Sequence, residues 1–252
     1  MTYFDASTWI GKWPFTFAGA HTARTLATHL RHHQIRRALV SPLDAVFAPE
    51  PGPANLSLLR DTRGIVGLEP VPVINPALAN WKEQLQQVGA DARVRAVRLL
   101  PTYHHYKLST RPVDELMDAL ANRRWKTIIQ VRLIDERHEF HAMNLKALPL
   151  GQLESLVRRH AKRPVLASGL LRNEMLPLMT RHAGLVADLA YAEWHDTVSD
   201  LLSRIPPGQL VLASHTPFLI TAAARAKLET STVGKAAQRA LAAGNLDRFL
   251  AA

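Results

Sequence analysis

The chain has 252 residues, of which 47% are apolar and 21% charged, and its formal net charge at pH 7 is +10. This length and composition exclude intrinsic disorder and small disulfide-stapled scaffolds. The absence of cysteine excludes disulfides and thiolate metal sites and is typical of a reducing compartment such as the cytoplasm. No run approaches the roughly 18 apolar residues that span a bilayer, and no signal peptide is recognised, so no membrane partner is expected.

The apolar and amphipathic segments alternate along the chain. The predicted strands, in chain order, cover residues 3–6, 37–41, 64–74, 94–100, 126–133, 164–168, 185–190 and 209–214. The predicted helices cover residues 22–33, 55–61, 81–88, 113–122, 153–161, 174–182 and 197–204, followed by a largely helical, Ala-rich segment from Pro217. Apolar runs without clean alternation indicate strands covered on both faces, and regular βα alternation indicates a parallel sheet.

Eight such units in about 250 residues predict a closed (β/α)8 TIM barrel of class α/β, with residues 1–252 as a single domain. The alternative is an open, doubly wound sheet. That fold often has a glycine-rich first turn, and neither GxGxxG nor GxxxxGK[ST] occurs in the sequence. The barrel is therefore favoured.

The positive charge is scattered rather than concentrated. The densest basic pairs, Arg36-Arg37, Arg123-Arg124 and Arg158-Arg159, are each expected at a helix end, where the helix dipole favours cations. No basic stripe with interleaved aromatic residues occurs. The net charge therefore indicates solvated helix faces, and no nucleic-acid partner is expected.

In a TIM barrel the active site lies at the carboxyl ends of the strands, so polar residues at the predicted strand ends are the candidates. The candidate catalytic residues are His215, Asp5 and Glu193. The candidate substrate-binding residues are Arg132, Arg98, Ser7, Tyr103, His104, Gln130 and His138.

His215 is the strongest of these candidates, because it directly follows the last predicted strand, in the segment ASHTPF. A histidine there suits a general acid or base, or a metal ligand. The alternative is a structural histidine hydrogen-bonded across the barrel mouth. Glu193 is expected to orient or pair with Arg132 or His215. The alternative interpretation is that Glu193 forms an ordinary ion pair.

Two further clusters follow predicted strands. The segment PTYHHY, residues 101–106, holds Tyr103 and His104, and its alternative interpretation is a solvated surface loop. The segment RLIDERHEFH, residues 132–141, indicates either a salt-bridge network or a polar pocket in which Arg132 contacts a carboxylate in bidentate fashion. For nucleophilic catalysis the candidates are Ser7, Ser168 and Ser214, none of which lies in a GxSxG motif.

Four segments together resemble the amidohydrolase-related superfamily of TIM-barrel metal-dependent hydrolases, which includes decarboxylases related to aminocarboxymuconate semialdehyde decarboxylase. The segments are FDASTWIGKWPF, VRAVRLLPTYHHYKL, LVLASHTPF and ALAAGNLDRFL, and they match in order and spacing over most of the chain. The resemblance implies the barrel fold, hydrolysis or decarboxylation of a small molecule, and a homo-oligomer as one arrangement of the chain.

The sequence departs from that family at the metal site. Where the first strand of the family carries His-x-His, this chain is interpreted as carrying Asp5 and Ser7, and His215 stands at the place of the eighth-strand Asp. Gln130 or Arg132, and Ser168, stand where the family has histidines. Serine is a poor zinc ligand and arginine cannot bind a metal. No metal cofactor is therefore expected.

Three hypotheses follow. The first is a hydrolase or lyase that acts on a small, anionic molecule without the usual divalent metal, with His215 as general acid or base, Asp5 orienting it or activating water, and Arg132 holding a substrate carboxylate. The second is a non-catalytic binding or scaffold barrel, in which rim residues pair with one another. The third is a divergent hydrolase with one divalent metal such as zinc, held by Asp5, His215 and a loop histidine.

Overall fold

The computed structural model describes residues 1–15, 22–135, 141–143 and 145–252, and in them eight parallel strands alternate with helices. The strands are β1 Tyr3–Ile10, β2 Ile35–Pro42, β3 Leu68–Pro70, β4 Ala96–Leu99, β5 Lys126–Gln130, β6 Val165–Ser168, β7 Leu185–Asp188 and β8 Leu210–Val211. The helices are α1 Ala23–His32, α2 Gly52–Asp61, α3 Trp81–Val88, α4 Arg111–Asn122, α5 Leu150–Arg159, α6 Arg172–Met179, α7 Thr197–Leu202, α8 Thr221–Glu229, α9 Lys235–Arg239 and α10 Asn245–Ala251. Within these ranges, no helix has the length and apolar character needed to cross a membrane.

The strands close into a (β/α)8 barrel, which confirms the predicted fold class. Strands β1 to β3 form one parallel sheet in chain order, and β4 to β8 form a second one. Parallel bridges between Val73 and Arg98 and between Thr8 and Thr216 join the two sheets at both edges. At the second seam the backbone N–H of Trp9 donates to the Thr216 carbonyl at 2.9 Å. The last strand thus meets the first.

The barrel interior is layered, because side chains on a strand alternate with a period of two. One apolar layer is formed by buried side chains from all eight strand segments, namely Phe4, Leu39, Val71, Ala96, Ile128, Leu166, Val186 and Val211. Helix α10 packs against this layer through Leu246, Phe249 and Leu250. Two residues further along five of the strands, the buried side chains are polar, namely Ser41, Arg98, Gln130, Ser168 and Asp188. The fold thus builds a polar layer at the carboxyl ends of the strands.

Buried apolar side chains on one face hold the helices against the strands. Helix α1, for example, begins after Thr22, whose hydroxyl accepts the backbone N–H of Thr25, and it buries Leu26 and Leu30 against the strands. Helix α6 continues through Pro177, as predicted.

The structure corrects one prediction about the basic pairs. Arg36 and Arg37 do not lie at a helix end but in β2, where Arg37 contacts Glu69 at 2.8 Å and Asp247 at 2.6 Å. The turn that follows α1 is shorter than the sequence pattern suggested, so the strand begins at Ile35. The other two pairs lie at the carboxyl ends of α4 and α5, as expected.

Candidate functional site

The seam between β8 and β1 brings Ser7 and His215 together. The backbone N–H of Ala6 donates to the carbonyl of Leu212 at 2.9 Å, which fixes the two chain segments side by side. The Ser7 hydroxyl then lies 3.1 Å from Nδ1 of His215, and both residues are fully buried. The hydroxyl of Ser168, at the end of β6, donates to Ser7 Oγ at 3.4 Å. Two residues 208 positions apart in sequence therefore form a serine–histidine pair.

His215 is held in one orientation and in its neutral form. Its Nε2–H donates to the Leu133 carbonyl at 2.6 Å, and Tyr191 donates its hydroxyl to the same oxygen at 3.0 Å. The proton is thereby assigned to Nε2, which leaves Nδ1 free to accept from Ser7. Burial, together with the positive charge of Arg98, lowers the pKa of His215 to about 3. His215 also has a φ of +55°, a conformation that non-glycine residues seldom adopt away from functional or strained sites.

Arg98, near the end of β4, is the buried cation of this layer. Its Nε donates to Ser41 Oγ at 2.9 Å and its Nη1 donates to Oε1 of Gln130, whereas Nη2 has no hydrogen-bond partner among the described residues. The guanidinium lies 4.5 Å above the Trp9 ring, and that ring meets His215 edge-on at 6.1 Å. Burial lowers the pKa of Arg98 to about 10, against the opposing effect of two nearby carboxylates, so Arg98 stays protonated at neutral pH.

Those two carboxylates are Asp5 and Asp188, both fully buried. Asp5 Oδ1 accepts the backbone N–H groups of Ser7 at 3.0 Å and Ser214 at 2.9 Å, and its Oδ2 has no hydrogen-bond partner in the described parts of the chain. Asp188 Oδ1 accepts the backbone N–H of Ala190 at 3.1 Å, and its Oδ2 likewise has none. Burial raises the pKa of Asp5 to about 6 and also raises that of Asp188. Asp5 thus positions the backbone beside Ser7, whereas the Leu133 carbonyl orients His215.

Arg132 binds a carboxylate of the protein itself. Its Nη1 and Nη2 contact the two oxygens of Glu174 at 3.0 and 3.1 Å, and Nη1 also donates to the Gly169 carbonyl at 2.7 Å. The predicted bidentate contact therefore exists, but its partner is Glu174 of α6. Gln130 lies between the two arginines, because its Nε2 donates to the Arg132 carbonyl at 2.6 Å while its Oε1 accepts from Arg98.

The structure corrects the expected pairing of Glu193 with Arg132 or His215. Glu193 contacts Lys227 Nζ at 2.7 Å, and 73% of its side chain is exposed. The loop after β7 directs this side chain outward, so it does not join the Ser7–His215 pair. His104 donates its Nε2–H to the Ala45 carbonyl at 2.9 Å. Burial lowers the pKa of His104.

Tyr103 belongs to a group of aromatic rings at the barrel mouth that sequence reasoning missed. The rings lie 5.1 to 5.7 Å apart, edge-on or tilted, and the group comprises Trp13, Phe15, Phe47, Tyr103 and Phe218. Phe15 and Phe47 are about two-fifths exposed, and Phe218 reaches His215 at 5.6 Å. The group therefore connects the surface to the buried pair. His138 lies outside the described residues.

The donors of this layer do not fit a divalent metal. No group of three or more His, Asp or Glu side chains with metal-binding geometry occurs in the described parts of the chain. Both nitrogens of His215 are engaged, and each buried carboxylate offers a single free oxygen. Serine hydroxyls are weak ligands, and the Arg98 guanidinium supplies a fixed positive charge beside these groups.

The sequence matches no protein-family model and no curated protein. Solved structures show the same fold. They include a 5-carboxyvanillate decarboxylase from Novosphingobium aromaticivorans with bound manganese (10% identity, TM-score 0.73, covering 99% of this chain and 97% of that one). They also include a probable 2-pyrone-4,6-dicarboxylic acid hydrolase from Acinetobacter baumannii (12% identity, TM-score 0.68, covering 100% of both chains). A third is an amidohydrolase from Mycobacterium avium subsp. paratuberculosis (14% identity, TM-score 0.65, covering 91% of this chain and 73% of that one). The resemblance to amidohydrolase-type barrels is therefore confirmed at the level of the fold.

Proposed function

We propose that this barrel is a hydrolase that cleaves a small, anionic acyl compound without a divalent metal. The observation that carries the proposal is the Ser7 hydroxyl, 3.1 Å from the unprotonated Nδ1 of a His215 ring that Leu133 holds in place. A hydroxyl beside an oriented base is the arrangement that acyl transfer requires. Decarboxylation needs no such nucleophile, so hydrolysis is preferred over lyase chemistry.

The proposed reaction has two balanced steps. His215 Nδ1 takes the Ser7 proton as Oγ attacks the substrate carbonyl carbon, and the proton then passes to the leaving oxygen or nitrogen as its bond to that carbon breaks. Water next attacks the acyl-serine, giving one proton to Nδ1, and Ser7 regains a proton from His215 as the acid departs. With its low pKa, His215 is a weak base. The negative charge that develops on the substrate must therefore stabilise the imidazolium.

The charge preference of the substrate is inferred from two buried donors, Arg98 Nη2 and Trp9 Nε1, that have no hydrogen-bond partner among the described residues. The Trp9 ring meets His215 edge-on, and the Arg98 guanidinium stacks on that same Trp9 ring. A substrate carboxylate or the developing oxyanion would satisfy them, and an unpaired buried donor is costly. The aromatic rings of the mouth suit an apolar substrate body. Two structural neighbours are named for reactions on small carboxylic acids, which agrees with this preference.

A fluorophosphonate probe tests the nucleophile without knowledge of the substrate. We expect the probe to label Ser7 of the wild-type protein, located by peptide mass spectrometry, and not to label Ser7→Ala. His215→Asn should slow labelling about 10³-fold or more, because the base is lost. Ser203→Ala, at an exposed serine after α7, is the matched control and should label normally. Mono-p-nitrophenyl succinate should be cleaved faster than p-nitrophenyl acetate if the site prefers an anion.

A non-catalytic barrel is the second candidate, because one observation favours it. Arg132, the predicted carboxylate clamp, is already bound to Glu174 and Gly169, and His215 is wholly buried. If Ser7 is not labelled and neither ester is cleaved above the Ser7→Ala rate, the hydrolase proposal fails and this second function stands.

A further inference from the structure

The structure assigns to Arg98 the role of a resident cation that balances Asp5 and Asp188, standing in for the metal ion of metal-dependent barrels with this fold. The inference rests on the metal-free part of the proposed function, but it does not depend on the Ser7–His215 chemistry.

The first argument is that Arg98 is built into the layer. It is wholly buried, and Ser41, Gln130 and the face of Trp9 each hold one part of the guanidinium. Arg98 lies near the end of β4, and its two acceptors lie at the ends of β2 and β5, where the polar layer forms. A guanidinium cannot lose its charge at physiological pH, so the layer carries a positive charge permanently.

The second argument is that this cation is matched to two carboxylates. Asp5 and Asp188 are both fully buried, and each keeps one oxygen that accepts no hydrogen bond from any described residue. Arg98 likewise keeps one nitrogen that donates to none of them. The charges of Asp188 and Asp5 raise the pKa of Arg98 against the effect of burial, and the charge of Arg98 lowers the pKa of Asp188. Buried carboxylates need compensating charge nearby. Within the described residues Arg98 forms no direct ion pair with Asp5 or Asp188, so its charge balances theirs across the low-dielectric interior of the barrel. The three free atoms have the capacity to bind internal water.

The third argument is that the same layer would repel a divalent ion. An added dication would meet the guanidinium as a like charge, and no third anionic or imidazole donor joins the two carboxylates within the described residues. Arg98 and a bound metal ion are thus two alternative sources of positive charge at the carboxyl ends of the strands in barrels with this fold.

A double-mutant cycle with a metal titration tests this inference. Arg98→Met should lower the thermal midpoint by about 10 °C, because two buried carboxylates lose their counter-ion. Adding Asp188→Asn to Arg98→Met should recover about half of that loss or more, although Asp188→Asn alone is not expected to stabilise the wild-type protein to the same degree. Arg60→Met removes an arginine whose side chain is 71% exposed and should change the midpoint by about 1 °C or less. If Arg98→Met does not fold, Arg98→Gln replaces it in the same cycle, because glutamine removes the charge and keeps hydrogen-bond donors.

Mn²⁺ and Zn²⁺ are then titrated into the metal-stripped wild-type protein and followed by calorimetry and thermal unfolding. We expect no stoichiometric binding and no rise in the midpoint, whereas a site filled at about 100 times its Kd would raise it by roughly 5 to 10 °C. Stoichiometric binding, or a double variant no more stable than Arg98→Met, would overturn the inference. Neither measurement involves Ser7, so failure here is distinct from failure of the labelling experiment.

Discussion

Replacing Asp5 by Asn should make the stability of this protein less sensitive to pH. Asp5 is wholly buried with one unpartnered oxygen, and burial raises its pKa from 3.8 to about 6. The folded chain therefore retains this proton at pH values where the unfolded chain has lost it. A raised carboxyl pKa costs no stability below the unfolded pKa; the cost grows as the pH rises towards 6 and is complete above it.

The magnitude follows from the two pKa values. A shift of about two units corresponds to about 3 kcal/mol, of which about 2 kcal/mol develops between pH 4.5 and 7.5. An asparagine amide cannot ionise, and its oxygen can still accept the backbone N–H groups of Ser7 and Ser214. Between pH 4.5 and 7.5, the free energy of unfolding of Asp5→Asn should therefore fall by about 2 kcal/mol less than that of the wild-type protein. Urea unfolding at both pH values measures the difference, and effects of the substitution that do not depend on pH cancel.

Asp118→Asn is the control, because that carboxylate is 65% exposed and pairs with Arg163 at the surface. It should change the pH-dependent loss by less than about 0.5 kcal/mol. If Asp5→Asn loses as much free energy of unfolding between the two pH values as the wild-type protein does, burial does not raise the pKa of Asp5 and the reasoning is refuted.

Two further predictions concern the site. In the Asp5→Asn background, the rate of Ser7 labelling should stay level between pH 5 and 8, because burial holds the pKa of His215 near 3; a step centred near 6.5 would show an ordinary imidazole. Gly169→Ala should destabilise the fold by at least about 2 kcal/mol in urea unfolding, because Gly169 has a φ of +88° and an added Cβ would lie 2.2 Å from the Arg132 carbonyl. Gly151→Ala, in α5 with open space around it, should leave stability unchanged or raise it by about 0.5 kcal/mol, and equal losses in both variants would refute the steric argument.

The alternation of apolar runs and amphipathic helices was sufficient to predict the barrel and the strand ends where polar side chains gather. His215 and Ser7 were both identified in this way, since each directly follows a predicted strand; in the structure β1 continues past Ser7 to Ile10. Their mutual contact was not predicted, because it depends on the register between the last strand and the first. Side chains on a strand alternate with a period of two, so Arg98 faces inward like Ala96, and Asp188 faces inward like Val186. The sequence pattern was therefore sufficient to place both charged residues inside the barrel.

The partners of the charged side chains were harder to predict. Arg132 faces Glu174 because α6 starts directly after β6, and Glu193 turns outward because the loop after β7 does. Such choices depend on loop paths, which a sequence pattern does not specify. The aromatic group at the mouth was missed for the same reason, since Trp13, Phe47 and Phe218 lie on three separate loops.

The Ser7–His215 pair lies across the seam between β8 and β1, so its formation depends on closure of the barrel. One member comes from the seventh residue of the chain and the other from a position 208 residues later, so neither half of the barrel contains the pair. It forms only when the ring of strands has closed, and such long-range contacts are costly in chain entropy. Labelling of Ser7 by a probe therefore also indicates that β8 has paired with β1 and that the barrel is closed. A protein cut within an outer loop should regain that reactivity only when its two fragments reassociate.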